Sequence, residues 1–484
     1  MTRPRLAGGP AALALVLAPV LPPALAACGD DVVRVAPVFE VPADDDAAPG
    51  NLDVLVLAIA RAGDAQDLVS QSFQPGERVE LSAVPFADDL VVHLTGQIGG
   101  SVVAYGRTCA FAAAPGGDPP APHLWFARNV KFASLALEPA ARVGGAAIEV
   151  AGGAIVVGGD ADAIERFDPR TGELAEIGRL AARTGAVAAV IGGPGALQVA
   201  VVGGAAGGQP AGLLELVGGL AGAAARVDRV EDARLARTSA TATTLTDGRV
   251  VVIGGRGPGG APAGDLVELS ATGAGAELRP ARVTLAHPRA EHTATRLGDD
   301  VGAPVLIAGG LGAAGAVAVA ELWKPLSGDL ANPTTFAPVM AVPRRGHRAE
   351  LMPDGSVLLI GGVDGAGAPI RTLERFAIDA GFVTVGELPA GAGIVDITTT
   401  RLPDGRILIA GGRATATGPA VDTALIARLD LVNGSVDVVQ TDRLAVPRAA
   451  HHAVLLCDGT VWVDGGTAGP PAPERYNPPP LGRR

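Results

Sequence analysis

"LPDGRILIAGG" (402–412) decides the fold, because the chain writes it repeatedly: "LTDGRVVVIGG" (245–255), "MPDGSVLLIGG" (352–362) and "LCDGTVWVDGG" (456–466). Each copy is a turn dipeptide, a short apolar run and a glycine pair. Asp-Gly recurs at Asp247-Gly248, Asp354-Gly355, Asp404-Gly405 and Asp458-Gly459, and it favours a tight type I′ hairpin between adjacent antiparallel strands. An apolar run with no polar alternation implies a strand covered on both faces.

Working outward, glycine pairs fall at Gly158, Gly203, Gly254, Gly309, Gly361, Gly411 and Gly465 and the residue after each, in steps of 45, 51, 55, 52, 50 and 54. A period near 50 with strand signals inside each unit predicts β-propeller blades. Downstream of six of the seven pairs a glutamate sits in a second apolar run: Glu165, Glu215, Glu268, Glu321, Glu374 and Glu474. The last unit stops at "ERYNPPPLGRR", one strand short, while "VKFASLALEPAAR" (130–142) precedes the first unit as an unused strand. The expectation is that this segment completes the last blade and closes the ring, leaving no exposed edge.

These units resemble kelch repeats, in which the glycine pair ends the second strand of a four-stranded blade. The resemblance covers about 350 residues and departs in its aromatics: Tyr476 keeps the tyrosine after the glutamate, whereas Phe167, Phe376 and Trp323 replace it elsewhere. The fold class expected is therefore all-β, a seven-bladed kelch-type β-propeller over 131–480, preceded by a small β-sandwich domain over 51–130. In the latter, "LDVLVLAIA", "GERVELSAVP", "DLVVHLTGQ", "SVVAYGRTCAF" and "HLWFARNV" are short β-rich runs between turn residues. His93 and His123 stand apart from any cluster of metal-type ligands there.

The first residues give a cellular address. Arg3 and Arg5 precede the apolar run "AALALVLAPVLPPALAA" (11–27), too short and too broken by prolines for a membrane span. It ends at "LAAC" (25–28), which resembles the lipobox of bacterial lipoproteins. That resemblance implies a signal peptide over 1–27, acylation of Cys28 and lipid anchoring in the bacterial cell envelope. Each buried acyl methylene contributes ~0.8 kcal/mol to such an anchor. Gly29 after the cysteine points to the outer rather than the inner membrane. Residues 28–50, acidic and rich in Pro and Ala, read as a tether. Cleavage would leave 36 basic against 50 acidic residues, a formal charge of −14 in place of −12. That balance excludes a nucleic-acid partner, which needs a basic surface. Cys109 and Cys457 could pair in an oxidising compartment, but they are far apart in sequence and two separately buried thiols are the favoured reading.

Chemistry is sparse. "PRAEH" (288–292), "PRRGH" (343–347) and "PRAAH" (447–451) begin the innermost strands, and Arg142 and Arg237 share their register. Alternation along a strand sends the arginine and the histidine of each motif to opposite faces, which argues against a shared metal site. The expectation is that His292, His347 and His451 hydrogen-bond between blades while the arginines pair with the repeated glutamates. The rival is that Arg237, Arg289, Arg344 and Arg448 line the channel mouth and clamp a carboxylate. That is what kinship to kelch-type periplasmic sugar-acid mutarotases implies. "GRGPGG" (255–260) follows a strand but opens no helix, so it offers no pyrophosphate cradle. No cofactor and no metal is expected. Loops such as "LGAAGAVAVA" (311–320) lack the aromatic and arginine anchors of a strong binding surface. The reading is a lipid-anchored, non-catalytic binding or scaffolding platform whose partner is an unknown protein or a small carbohydrate, with the mutarotase or isomerase as alternative.

Overall fold

A computed structural model describes residues 32–43, 51–273, 275–331, 338–430, 432–466 and 472–480. Seven four-stranded antiparallel sheets follow one another along the chain, each starting with an inner strand: Ala146–Val150, Val187–Ile191, Thr241–Thr244, Thr293–Arg296, Arg348–Leu351, Thr398–Arg401 and His452–Leu455. Inner strands of successive blades neighbour one another all the way round, the seventh beside the first. The result is a closed seven-bladed propeller. Its outermost strand in blade seven is Lys131–Ser134, which pairs Lys131 with Asn477 and Ser134 with Glu474. The segment preceding the first blade therefore seals the last, and Phe132 packs its ring 4.9 Å from that of Tyr476.

The second strand of each blade explains the apolar runs. In Val250–Ile253, Val305–Ala308, Val357–Ile360 and Ile407–Ala410 every residue is buried, because neighbouring blades cover both faces. At the end of this strand both glycines of the pair are left-handed, the first at φ +57° to +73° and the second at +76° to +103°. A Cβ on Gly254 would lie 2.4 Å from the carbonyl oxygen of Arg289, so glycine is also required by the close approach of the next segment.

The hairpin turns differ from the type I′ expectation. At 245–249 only Gly248 is left-handed, and Asp247 instead accepts from the N–H of Arg249 at 3.1 Å. Leu245 accepts from Gly248 and donates to the carbonyl of Arg249. This is a tight turn closed by a left-handed glycine, with the aspartate as a local acceptor.

The small domain begins earlier than expected. Val32–Val35 pairs with Leu81–Pro85, and Val38–Glu40 runs parallel to His123–Arg128. Residues 32–43, read as tether, thus belong to the domain: alternating apolar positions in "VVRVAPVFEV" bury Val35 and Phe39 against its core. The larger of its two sheets runs Val38–Glu40, His123–Arg128, Ser101–Arg107, Ala87–Ile98, Val54–Arg61, Asp67–Phe73, with Phe111–Ala113 beside Ala87–Ile98. Its inner face (Leu55, Leu57, Val92, Phe126) packs with Val35, Leu81 and Val84 of the small sheet in one core.

The other face of that larger sheet docks on the propeller. Trp125 and Ala127 share a buried cluster with Phe167, Val454 and Trp462 of blades one and seven. Arg475 lies 4.6 Å over the Trp125 ring, and the Asn477 amide donates to the carbonyls of Tyr105 and Ala127. A Cys109–Cys457 disulfide, Cα atoms 5.0 Å apart, ties the same seam. This overturns the reading of two separate thiols: the folded domain brings positions 348 residues apart together.

Candidate functional site

Six of the seven blades begin with the same entry arc. Two residues before a left-handed position stands an arginine: Arg142, Arg183, Arg237, Arg289, Arg344 and Arg448 precede Gly144, Gly185, Ser239, Glu291, Gly346 and Ala450. Each guanidinium donates to the carbonyl of the first glycine of its own blade's pair at 2.5–3.3 Å. Each also meets a carboxylate at 2.5–3.0 Å: Glu165, Glu215, Asp265, Glu321, Glu374 and Glu474 respectively. In five of these blades the glutamate also takes a backbone N–H from the entering segment, at Ala140, Ala181, Ala286, Ala341 and Ala445. The clamp thus staples entry arc, glycine turn and third strand together. Burial pushes the Arg289 and Arg344 pKa values down and their carboxylates oppose it.

Arg237, Arg289, Arg344 and Arg448 are therefore interior residues, at 5, 0, 0 and 0% exposure, and do not line the channel mouth. The rival placement fails because all their donors are turned into their own blade. Glu268 is a further correction. It stands one residue past the register of Glu321 and Glu374, so it faces the other way and pairs with Arg249, leaving Asp265 for Arg237. Arg183 went unread although "ARTGA" (182–186) repeats the "ARTSA" (236–240) around Arg237; blade two, like blades one and four, lacks the Asp-Gly turn.

The histidines bridge blades. His292, His347 and His451 place Nε2 at 3.1, 3.0 and 2.8 Å from the hydroxyls of Thr241, Thr293 and Thr398, each on the preceding inner strand. Burial, reinforced by the nearby arginine, lowers the pKa of His292 and His347 to about 3 and that of His451 well below its usual value. They are neutral structural groups. Among the described residues no three His, Cys, Asp or Glu side chains are arranged to hold a metal.

What the inner strands enclose is a channel cavity of about 470 Å³. Blades one to three line it with Ala146, Ala147, Ala188, Thr241 and Ala242, and the charged side chains of its lining come from blade five, Arg348 and Glu350. Arg348 donates through Nε to the carbonyl of Ile397 at 2.8 Å, its guanidinium open to the channel though enclosed by protein. Glu350 accepts from Thr399 at 2.5 Å, and enclosure raises its pKa to about 7. At the mouth, Glu291 is held between Arg256 and Arg345 at 3.2 and 2.6 Å, and Asp396 meets Arg413 at 3.3 Å. Sequence reading missed Arg348 and Glu350, because nothing but their position on an inner strand distinguishes them from surface charges. Cys28 lies outside the described residues.

No family model matches the chain, and no curated protein matches it. Among solved structures it is similar to one described as "Structure of YjhT", at 12% identity and a TM-score of 0.44, over 60% of this chain and 93% of that one. By its own strand order and closure the chain is a seven-bladed β-propeller protein with an N-terminal two-sheet domain.

Proposed function

We propose that the chain is a membrane-anchored lipoprotein, tethered through acylated Cys28, whose propeller is a non-catalytic binding or scaffolding platform in the cell envelope. The observation that carries the reading is the engagement of the arginine series. Six buried guanidiniums are used up in holding blades together, which leaves a rigid frame in place of a convergent cationic site. A disulfide across the domain seam is consistent with an oxidising compartment outside the cytoplasm. The decisive experiment is labelling with an alkyne fatty acid, followed by pull-down from native envelopes. Label lost in Cys28→Ser and a stoichiometric partner recovered with the intact protein would support the platform. Unlabelled protein in the soluble fraction, with no partner, would overturn it.

A second reading, an isomerase or mutarotase of a sugar acid, is favoured by Arg348 and Glu350. A guanidinium and a carboxyl of near-neutral pKa share one enclosed channel, which suits carboxylate binding with proton transfer. Anomerisation of a sugar acid, followed by NMR and abolished in Glu350→Gln, would favour that reading over the platform.

A further inference from the structure

A second cavity, about 420 Å³, opens where the small domain meets the propeller. Its floor continues the face of the larger sheet that carries Trp125. Beyond the docked strand His123–Arg128, the next strands turn Tyr105, Arg107 and Thr95 outward at the edge of the seam, where Tyr105 and Arg107 also border Pro403, Asp404 and Asp458 of the propeller. Pro480, just past the last blade strand, forms one wall, and the turn at Gly63 forms the other.

Arg107 is the unusual residue. Most arginines of this molecule meet a carboxylate, and the neighbouring Arg61 is held by Asp89 at 2.9 Å. Arg107 is half-buried, its Nε has no acceptor, and among the described residues no carboxylate reaches its guanidinium. A buried N–H without an acceptor is costly unless a ligand or water supplies one. The surroundings say which ligand fits. Most of the remaining lining area is apolar, from Ala65, Val102, Pro480 and the Tyr105 ring, while His93 is tied to the Tyr105 hydroxyl at 2.6 Å and Arg61, Asp64 and Thr95 complete the wall. A fork-shaped guanidinium matches a single carboxylate better than a phosphate, which needs more donors.

We propose that this cleft binds a small monocarboxylate, its carboxylate paired with Arg107 and its apolar body against Tyr105, Val102 and Pro480. A concave, largely apolar pocket with a few polar groups is the usual form of a small-molecule site. The site is separate from the channel and from the anchor, so it stands or falls independently of the platform reading.

The test is calorimetric titration of the full disulfide-bonded protein with benzoate, with benzamide as its neutral isostere and inorganic phosphate as the competing anion. Arg107→Gln is compared with Arg279→Gln, an arginine on the outer rim of blade three, after thermal melts show both folded. Saturable benzoate binding is expected, weakened at least roughly tenfold in Arg107→Gln and unchanged in Arg279→Gln, with benzamide and phosphate at least roughly tenfold weaker. Benzoate binding that survives Arg107→Gln, benzamide binding as tightly as benzoate, or no benzoate binding by the folded protein would each overturn the proposal.

Discussion

Blades five and six solve the same packing problem with opposite chemistry. Blade five enters through Arg344, clamped to Glu374 and to the carbonyl of Gly361, all out of contact with water. Blade six carries Ile394 at the arginine position and Leu425 at the glutamate position, both buried in an apolar cluster. Both blades keep the same strand order and glycine turn. The ion pair is thus one way to fill the corner between entry arc and third strand, and the fold does not demand it. What it does demand is that neither partner be left alone, since a lone buried charge costs more than the pair gains.

That contrast can be broken by removing one partner. Arg344→Met strands the Glu374 carboxylate and should lower unfolding free energy by about 3–5 kcal/mol, measured by denaturant titration. Loss of ligand binding with unchanged stability would show the arginine to be functional instead.

Next in size is the domain seam, which no interior pair of blade five or six touches. Reducing Cys109–Cys457 should cost roughly 2–4 kcal/mol, read as a lower denaturation midpoint with and without reductant. A midpoint unchanged by reduction would mean that Asn477, Arg475 and the closing strand hold the seam unaided.

The histidines sharpen the comparison along the pH axis. Blade five has His347 where blade six has Ile397, both facing the preceding inner strand. His347 is neutral when folded, with a pKa near 3, and ordinary at about 6.5 when unfolded. Its contribution is full above pH 6.5 and is lost as pH falls toward 3, because only the unfolded chain then takes up the proton. At pH 5 this amounts to about 2 kcal/mol. His347→Asn should therefore flatten the fall in stability between pH 7 and pH 5, while leaving a smaller, pH-independent loss. Glu350 works in the other direction. Its folded pKa is raised to about 7, so its penalty grows as pH rises from 4.5 to 7 and Glu350→Gln should relieve it there.

The repeat made most of this architecture readable. Glycine pairs and Asp-Gly turns sit at fixed places because left-handed backbone is needed there, so blade number and the closing role of residues near 131–134 follow from spacing alone. Pairings that depend on register did not follow. Glu268 looks like Glu321 and Glu374 in the sequence yet faces the other way by one residue, and Asp265 takes its role. Arg183 lies in one of the three blades without an Asp-Gly marker. Cys109 and Cys457 meet only once two domains dock, and Arg107 is unusual solely for what does not surround it. Such facts belong to three-dimensional juxtaposition, which a spacing pattern does not encode.

The buried arginines are structural and replaceable as pairs. The most direct measurement is a double-mutant cycle of blade five converted to blade six chemistry, Arg344→Ile with Glu374→Leu. The account predicts that the double variant is more stable than the Arg344→Ile single variant, within roughly 1–2 kcal/mol of the parent, giving a coupling of several kcal/mol. Additive losses, with the double variant the least stable of the set, would contradict it.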